Sequence, residues 1–207
     1  NYFEKFVNKT NKTLIFRFKT ALEILKPLVG EKKVVELGCG SGFLAKEIIS
    51  YGASSYTGYD ISENAINRAV NLSNENNYNN KAKFFSKSIL EMDDLDADYV
   101  FSLGLTDWLD DSEINHLFKI SKNAENLHSI SEEKKSISQF LHKAYVFLSY
   151  GRKTNGYAPR YLKSIKISEI IKNHTKKEIF EYRNKRMSFG IFLTTFPFNK
   201  CDLSSES

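Results

Sequence analysis

Between Glu36 and Gly42 the chain reads Glu-Leu-Gly-Cys-Gly-Ser-Gly, the stretch whose residue types and spacing say most about chemistry. Gly38, Gly40 and Gly42 stand at every second position, so the backbone can turn through positive φ and approach a ligand with no Cβ in the way. The apolar pair Val34-Val35 before them predicts a strand, and Phe43 to Ile49 after them predicts a helix. A turn of that kind is where open α/β sheets hold a nucleotide-sized ligand. Glu36 adds a carboxylate suited to a positive group; the alternative is an acid that orients loop amides. Asp60 ends a second apolar run at about the distance from the glycines where an acid accepts from both hydroxyls of a ribose. Its alternative is a helix cap, which Ser62 can supply instead. The spacing also excludes ligands. A dinucleotide fingerprint needs glycine where Phe43 stands, and a P-loop needs a Gly-Lys-Ser/Thr that is missing here.

The pattern Glu36-x-Gly38-x-Gly40-x-Gly42, followed by Tyr59-Asp60-Ile61-Ser62, resembles the cofactor motifs of class I S-adenosylmethionine (SAM)-dependent methyltransferases. The resemblance covers Val34 to about Leu109, and the remainder in outline. It implies SAM as cofactor, S-adenosylhomocysteine as product and no metal. It places Glu36 and the three glycines at the methionine end, Asp60 on the ribose and Ile61 on one face of the adenine. Ser88 and Ile89 fall at the adenine edge and Leu103 beneath the methionine moiety. The family often has Asp where Ser88 stands, so here a hydroxyl and a backbone N–H are left for that edge. The implied reaction is in-line methyl transfer to the O or N of a small molecule, with alignment worth roughly 7–11 kcal/mol. After the fourth predicted strand comes Leu105-Thr106-Asp107-Trp108, with none of the prolines of enzymes that methylate nucleobase or glutamine nitrogens. A weaker similarity extends to tetrapyrrole O-methyltransferases.

The acceptor side is drawn from residues at predicted strand ends, where ligand crevices open. Asp107 is a candidate to orient or deprotonate an acceptor, and Trp108 to form an apolar wall; a helix cap and a core cover are the alternatives. His128-Ser129 lies toward the end of the fifth predicted strand, and His128 is a second candidate base near neutral pH, set against a structural role. Arg152, Arg160 and Tyr161 belong to a segment, Tyr145 to Tyr161, that alternates aromatics with cations and suits an anionic or ring-bearing substrate or a solvated loop. His116, His142 and His174 lie on predicted helices without ligand spacing, so no metal site is expected. By the same resemblance, Tyr2-Phe3 folds over the cofactor.

These residues need a scaffold, and strands alternating with helices supply one. The expected fold class is α/β: a single Rossmann-like methyltransferase domain with a seven-stranded, mostly parallel sheet, an antiparallel C-terminal hairpin and an N-terminal helix. Strands are expected at Lys33 to Leu37, Ser55 to Tyr59, Lys83 to Ser86, Tyr99 to Leu103, Asn126 to Ile130, Lys177 to Tyr182 and Ser188 to Phe196. Helices are expected at Thr13 to Lys26, Ser41 to Ser50, Ser62 to Leu72, Asp111 to Ile120, Ser131 to Leu148 and Ser168 to His174. Leu14, Phe18, Leu22 and Leu25 give the first helix its apolar stripe. The expected divisions are a helical cap over 1–30, the domain over 31–198 and a loose tail over 199–207.

The chain has 207 residues, a net charge of +5 and two cysteines, which sets no disulfide framework and fits a reducing cytoplasm. Its first residues lack the shape of a signal peptide, and no apolar run reaches the length of a membrane span. The basic residues are scattered, and the stretch Asn71 to Asn80 points to a compositional bias, so nucleic acid is not the expected partner. A SAM-binding module without catalysis and an RNA-directed methyltransferase are the competing readings.

Overall fold

The computed structural model describes residues 12–134, 139–140, 160–187 and 189–198. In chain order the elements are α1 (Lys12–Leu25), β1 (Lys33–Leu37), α2 (Ala45–Ser50), β2 (Ser55–Asp60), α3 (Glu63–Glu75), β3 (Ala82–Ser86), β4 (Tyr99–Leu103), α4 (Asp111–Ile120), β5 (Glu125–Ser131), α5 (Ser164–His174), β6 (Phe180–Arg183) and β7 (Gly190–Thr194). The seven strands form one sheet in the order β3-β2-β1-β4-β5-β7-β6. The first five pair in parallel, and β7 runs antiparallel to both β5 and β6. The expected α/β class and hairpin are therefore present, with β7 inserted between β5 and β6.

Alternation along β1 divides the core. Val34 belongs to a cluster with Ala21 and Leu25 of α1, Ile48 of α2 and Ile66 and Ala69 of α3. Val35 and Leu37 point the other way, into a cluster with Ile114 and Leu117 of α4 and Ile167 and Ile171 of α5. Each large side chain buried this completely contributes about 1.5–3 kcal/mol. Because Ala21 and Leu25 are fully enclosed by that first cluster, α1 is part of the domain core and not a separable cap.

Several boundaries differ from expectation for local reasons. The helix after the glycine turn starts at Ala45, not Ser41, because Gly42 N–H donates to Cys39 O and Ala45 N–H to Gly42 O, forming turns across residues 41–44. Ser131 ends β5 and does not open a helix; its N–H and hydroxyl both donate to Asp107. The helix ending at His174 begins at Ser164, four residues ahead of Ser168. Residues 1–11 with Tyr2-Phe3, most of the helix expected to reach Leu148, Arg152, and the tail 199–207 lie outside the described residues. Among the described residues no helix is long and apolar enough to cross a membrane.

Gly42 shows how tightly the turn is packed. Its φ is +68°, and a Cβ there would stand 2.6 Å from Phe84 Cε1 and 3.0 Å from Ala69 Cβ. Gly40, at φ +53°, would meet nothing within 4 Å. Gly42→Ala should therefore cost about 2–4 kcal/mol, combining left-handed strain with overpacking, while Gly40→Ala should cost only about 1–2 kcal/mol. Urea unfolding of the two variants checks this ordering.

Candidate cofactor and acceptor site

A cavity of about 670 Å³ opens at the carboxyl ends of β1, β2 and β4, where the strand order reverses direction. Such a reversal leaves a crevice between neighbouring crossovers. Gly38, Asp60, Ile61, Ser88 and Ile89 all line it. Asp60 is locked at the end of β2: its Oδ2 accepts from Gly40 N–H at 2.8 Å and its Oδ1 from Ser62 N–H at 2.9 Å. Each oxygen keeps a further lone pair. Ile61 is 78% exposed while it lines the cavity, an apolar surface of the kind a flat ring would cover. A Cβ on Gly40 would meet no atom within 4 Å.

Residues 34–124 match the protein family described as Methyltransferase domain. Over that stretch the chain is similar to methyltransferase domains. No curated protein matches the chain. Among solved structures, the magnesium protoporphyrin IX methyltransferase of Synechocystis PCC 6803 with bound S-adenosylhomocysteine is similar at 18% identity and a TM-score of 0.66, over 86% of this chain and 80% of that one. A SAM-dependent methyltransferase from Mesorhizobium loti is similar at 14% identity and a TM-score of 0.63, over 84% and 95%. An O-methyltransferase family protein from Burkholderia thailandensis is similar at 14% identity and a TM-score of 0.65, over 85% and 55%. These likenesses are likenesses of fold.

Around this cavity the other expected residues separate. Trp108 lines the same cavity as Asp60. Ser88 caps the short turn Ile89–Glu91, its N–H donating to Glu91 Oε2. Leu103 is half-buried against the α1 side of the core, outside the cavity lining. Glu36 is buried beneath the glycine turn, where Tyr56 donates its hydroxyl to the carboxyl group. Burial pushes Glu36 up to about 8, and the Asp60 charge adds to it against the Tyr56 hydrogen bond, so Glu36 holds a proton at neutral pH.

His128 is not placed to act as a base. Its ring is fully buried edge-on against Phe118. The Asn126 amide nitrogen donates to Ser121 O and Ala124 O, which turns Asn126 Oδ1 toward His128 Nε2. That network assigns the proton to Nε2 and leaves Nδ1 to accept from Ser102 at 2.8 Å. Burial pulls His128 down to about 3. Arg160 is likewise occupied away from any substrate: its guanidinium donates to Leu109 O and pairs with Asp111, and its N–H donates to Asp107 O. Tyr161 packs edge-on against Phe189.

Asp107 is buried at the exit of β4. Its Oδ1 accepts from Ser131 N–H at 2.8 Å and its Oδ2 from Ser131 Oγ at 2.6 Å. Burial raises its pKa, opposed first by the positive charge of Arg17 and then by the Ser131 bonds. Arg17, on α1, is a residue the motif analysis missed. Its Nη1 lies 3.1 Å from where a Cβ on Gly104 would stand, and its Nη2 3.0 Å from the same point on Gly190. Two glycines thus make the room this guanidinium occupies. Its Nε is buried with no hydrogen-bond partner. A signal was present: Arg17 stands three residues after Leu14 and four before Ala21, on the apolar stripe itself, where a cation needs a reason. Lys87, Asp110 and Glu113 also line the cavity without having been foreseen; the last two form the capping box of α4.

Glu36 and His128 act on stability with opposite signs. Glu36 is held above its unfolded value, so the folded state keeps a proton that the unfolded chain loses; this contribution is full below pH 4.5 and is lost as pH rises to about 8. His128 is held below its unfolded value of 6.5, so its contribution is present above that pH and is lost as pH falls toward about 3. Glu36→Gln should abolish the decline on the alkaline side and leave the acid-side decline intact, as denaturant unfolding across this pH range will show. His128→Ala should cost about 2–4 kcal/mol through a cavity and unpaired polar neighbours.

Proposed function

We propose that this protein transfers a methyl group from SAM to the oxygen or nitrogen of a small-molecule acceptor by in-line displacement. The observation that carries the reading is the convergence of Gly38, the amide-locked Asp60 and the exposed Ile61 on one cavity. In this reading Asp60 accepts from the ribose hydroxyls and Ile61 covers one face of the adenine. Ser88 and Ile89 meet its edge, opposite Trp108. The glycine turn leaves room for the methionine moiety, and Leu103 packs behind it. Leu105 links the two ends: it lines the cavity, and its Cβ would lie 3.1 Å from a Cβ on Gly38. Next to it in sequence, Gly104 seats Arg17. Arg17 itself lies outside the cavity lining, and its guanidinium is assigned to the carboxylate of the cofactor on its buried, unpartnered Nε, a charge-assisted pairing that would compensate its lost hydration.

The cofactor supplies a methyl group on a positive sulfur, already activated toward a nucleophile. The chain's task is alignment and exclusion of water, not generation of an electrophile. Glu36 gives up its proton when a positive ammonium is brought near, since an opposite charge favours the ionised carboxyl. A small-molecule acceptor is favoured by the neighbouring Synechocystis enzyme, whose substrate is magnesium protoporphyrin IX. The absence of the proline-containing motif after β4 favours it as well.

Calorimetric titration with S-adenosylhomocysteine tests the reading. Binding should be of micromolar order, and Asp60→Ala should weaken it by about 10-fold or more, the loss of a charge-assisted pair of hydrogen bonds. No heat with either SAM or S-adenosylhomocysteine would overturn it.

A further inference from the structure

Asp107 is the acid nearest the exit of β4, and its surroundings are those of a tether. Both carboxylate oxygens are already engaged by Ser131, one by a backbone N–H and one by the hydroxyl. The carboxylate is buried. A general base needs an oxygen within reach of the proton it removes. What Asp107 does face is Arg17. Its Oδ2 lies 3.9 Å from the Cβ position of Gly104, the same point that Arg17 Nη1 approaches to 3.1 Å.

The backbone around Asp107 gathers the parts that must hold still. Its carbonyl accepts from Arg160 N–H at 2.6 Å, and Leu162 N–H donates to Ser131 O at 2.8 Å. Ser131 pairs across the sheet with Gly190, the second glycine under the guanidinium. Asp107 and Ser131 therefore connect the exit of β4, the end of β5, the start of β7 and the segment 160–162 around one cation from α1. A buried cation with an unpartnered Nε is costly, and a fixed carboxylate close by lowers that cost.

We propose that Asp107 is a positioning residue, held by Ser131, that acts through Arg17 to keep the guanidinium aimed at the carboxylate of the cofactor, and that it does not serve as the base of the transfer. The proposal rests on the reading of Arg17 given above. It makes the amino-acid end of the cofactor, and not the acceptor, the ligand that senses Asp107. The carboxylate enters as the second anion beside Arg17 and replaces the missing partner of the guanidinium, while Asp107 stays bonded to Ser131 throughout.

A double-mutant cycle on ligand binding tests this. S-Adenosylhomocysteine is compared with 5′-methylthioadenosine, which keeps the adenosine and sulfur and lacks the amino acid. Arg17→Gln and Asp107→Asn should each weaken S-adenosylhomocysteine by about 10-fold and leave methylthioadenosine unchanged. The double variant should lose no more than Arg17→Gln alone. Equal losses for the two ligands, or additive losses in the double variant, would overturn the proposal. So would an Asp107→Asn variant that binds both ligands normally and loses kcat. If Asp107→Asn fails to fold, Ser131→Ala, which keeps the backbone bond and removes the hydroxyl bond, should show a smaller loss confined to S-adenosylhomocysteine; no such loss would count against the idea equally. A wild-type protein that binds neither ligand would refute the cofactor reading itself, a result distinct from an additive cycle.

Discussion

The end of β2 holds the glycine turn, and the site depends on that attachment. Tyr59 O accepts from both Gly38 N–H and Cys39 N–H, at 2.8 and 2.9 Å, and Asp60 Oδ2 accepts from Gly40 N–H. Three successive amides of the turn are thereby spent on two successive residues of the neighbouring strand. Left to water, a run with three glycines would sample many conformations, and ordering it costs more entropy than ordering any other residue type. Binding to β2 offsets that cost within the domain. It also brings Gly38 and the Asp60 carboxylate to one cavity. Close packing beneath keeps the turn from collapsing: a side chain on Gly58 would meet Cys39 Sγ at 2.8 Å, so β2 passes directly under the turn.

Burial sorts the ionisable groups around this attachment into distinct roles. Glu36 and His128 are both enclosed and both neutral, one by keeping a proton and one by refusing a second. His128 belongs to a closed network with Ser102 and Asn126 that joins β4 to β5 in the core, and all its hydrogen-bonding capacity is used. Asp107 and Arg17 are different, because both approach Gly104 and the guanidinium keeps a buried Nε without a hydrogen-bond partner. Residual hydrogen-bonding capacity beside a ligand cavity is what separates a site from a core network.

The cofactor half of the site was legible because its chemistry is local in sequence. A strand, three alternate glycines and an acid at the next strand end are a contiguous pattern, and backbone geometry alone makes Gly38 to Gly42 and Asp60 neighbours. The seven strands were legible for a related reason: their apolar runs are short and bounded by turn residues. The acceptor half was not. His128 lies within β5 and faces α4, and Arg160, in a segment between elements, is bound to Asp111. Period-two alternation assigns residues to faces only after the strand's neighbours are known, and a side chain's partners lie far away in sequence.

Sequence by itself determined the α/β class, the glycine turn and the acid paired with it, because those follow from φ, strand periodicity and a spacing of one crossover. Tertiary structure decided which charges are free to act. Arg17 reaches Asp107 across ninety residues of chain, over glycines from β7 and from the exit of β4. Ser131 became the end of a strand and not the start of a helix because Asp107 took both of its donors. The physical reason is that desolvation and hydrogen-bond saturation are properties of a packed environment: the same side chain can act as a base when a lone pair meets a cavity and is a strut when it is enclosed among its partners.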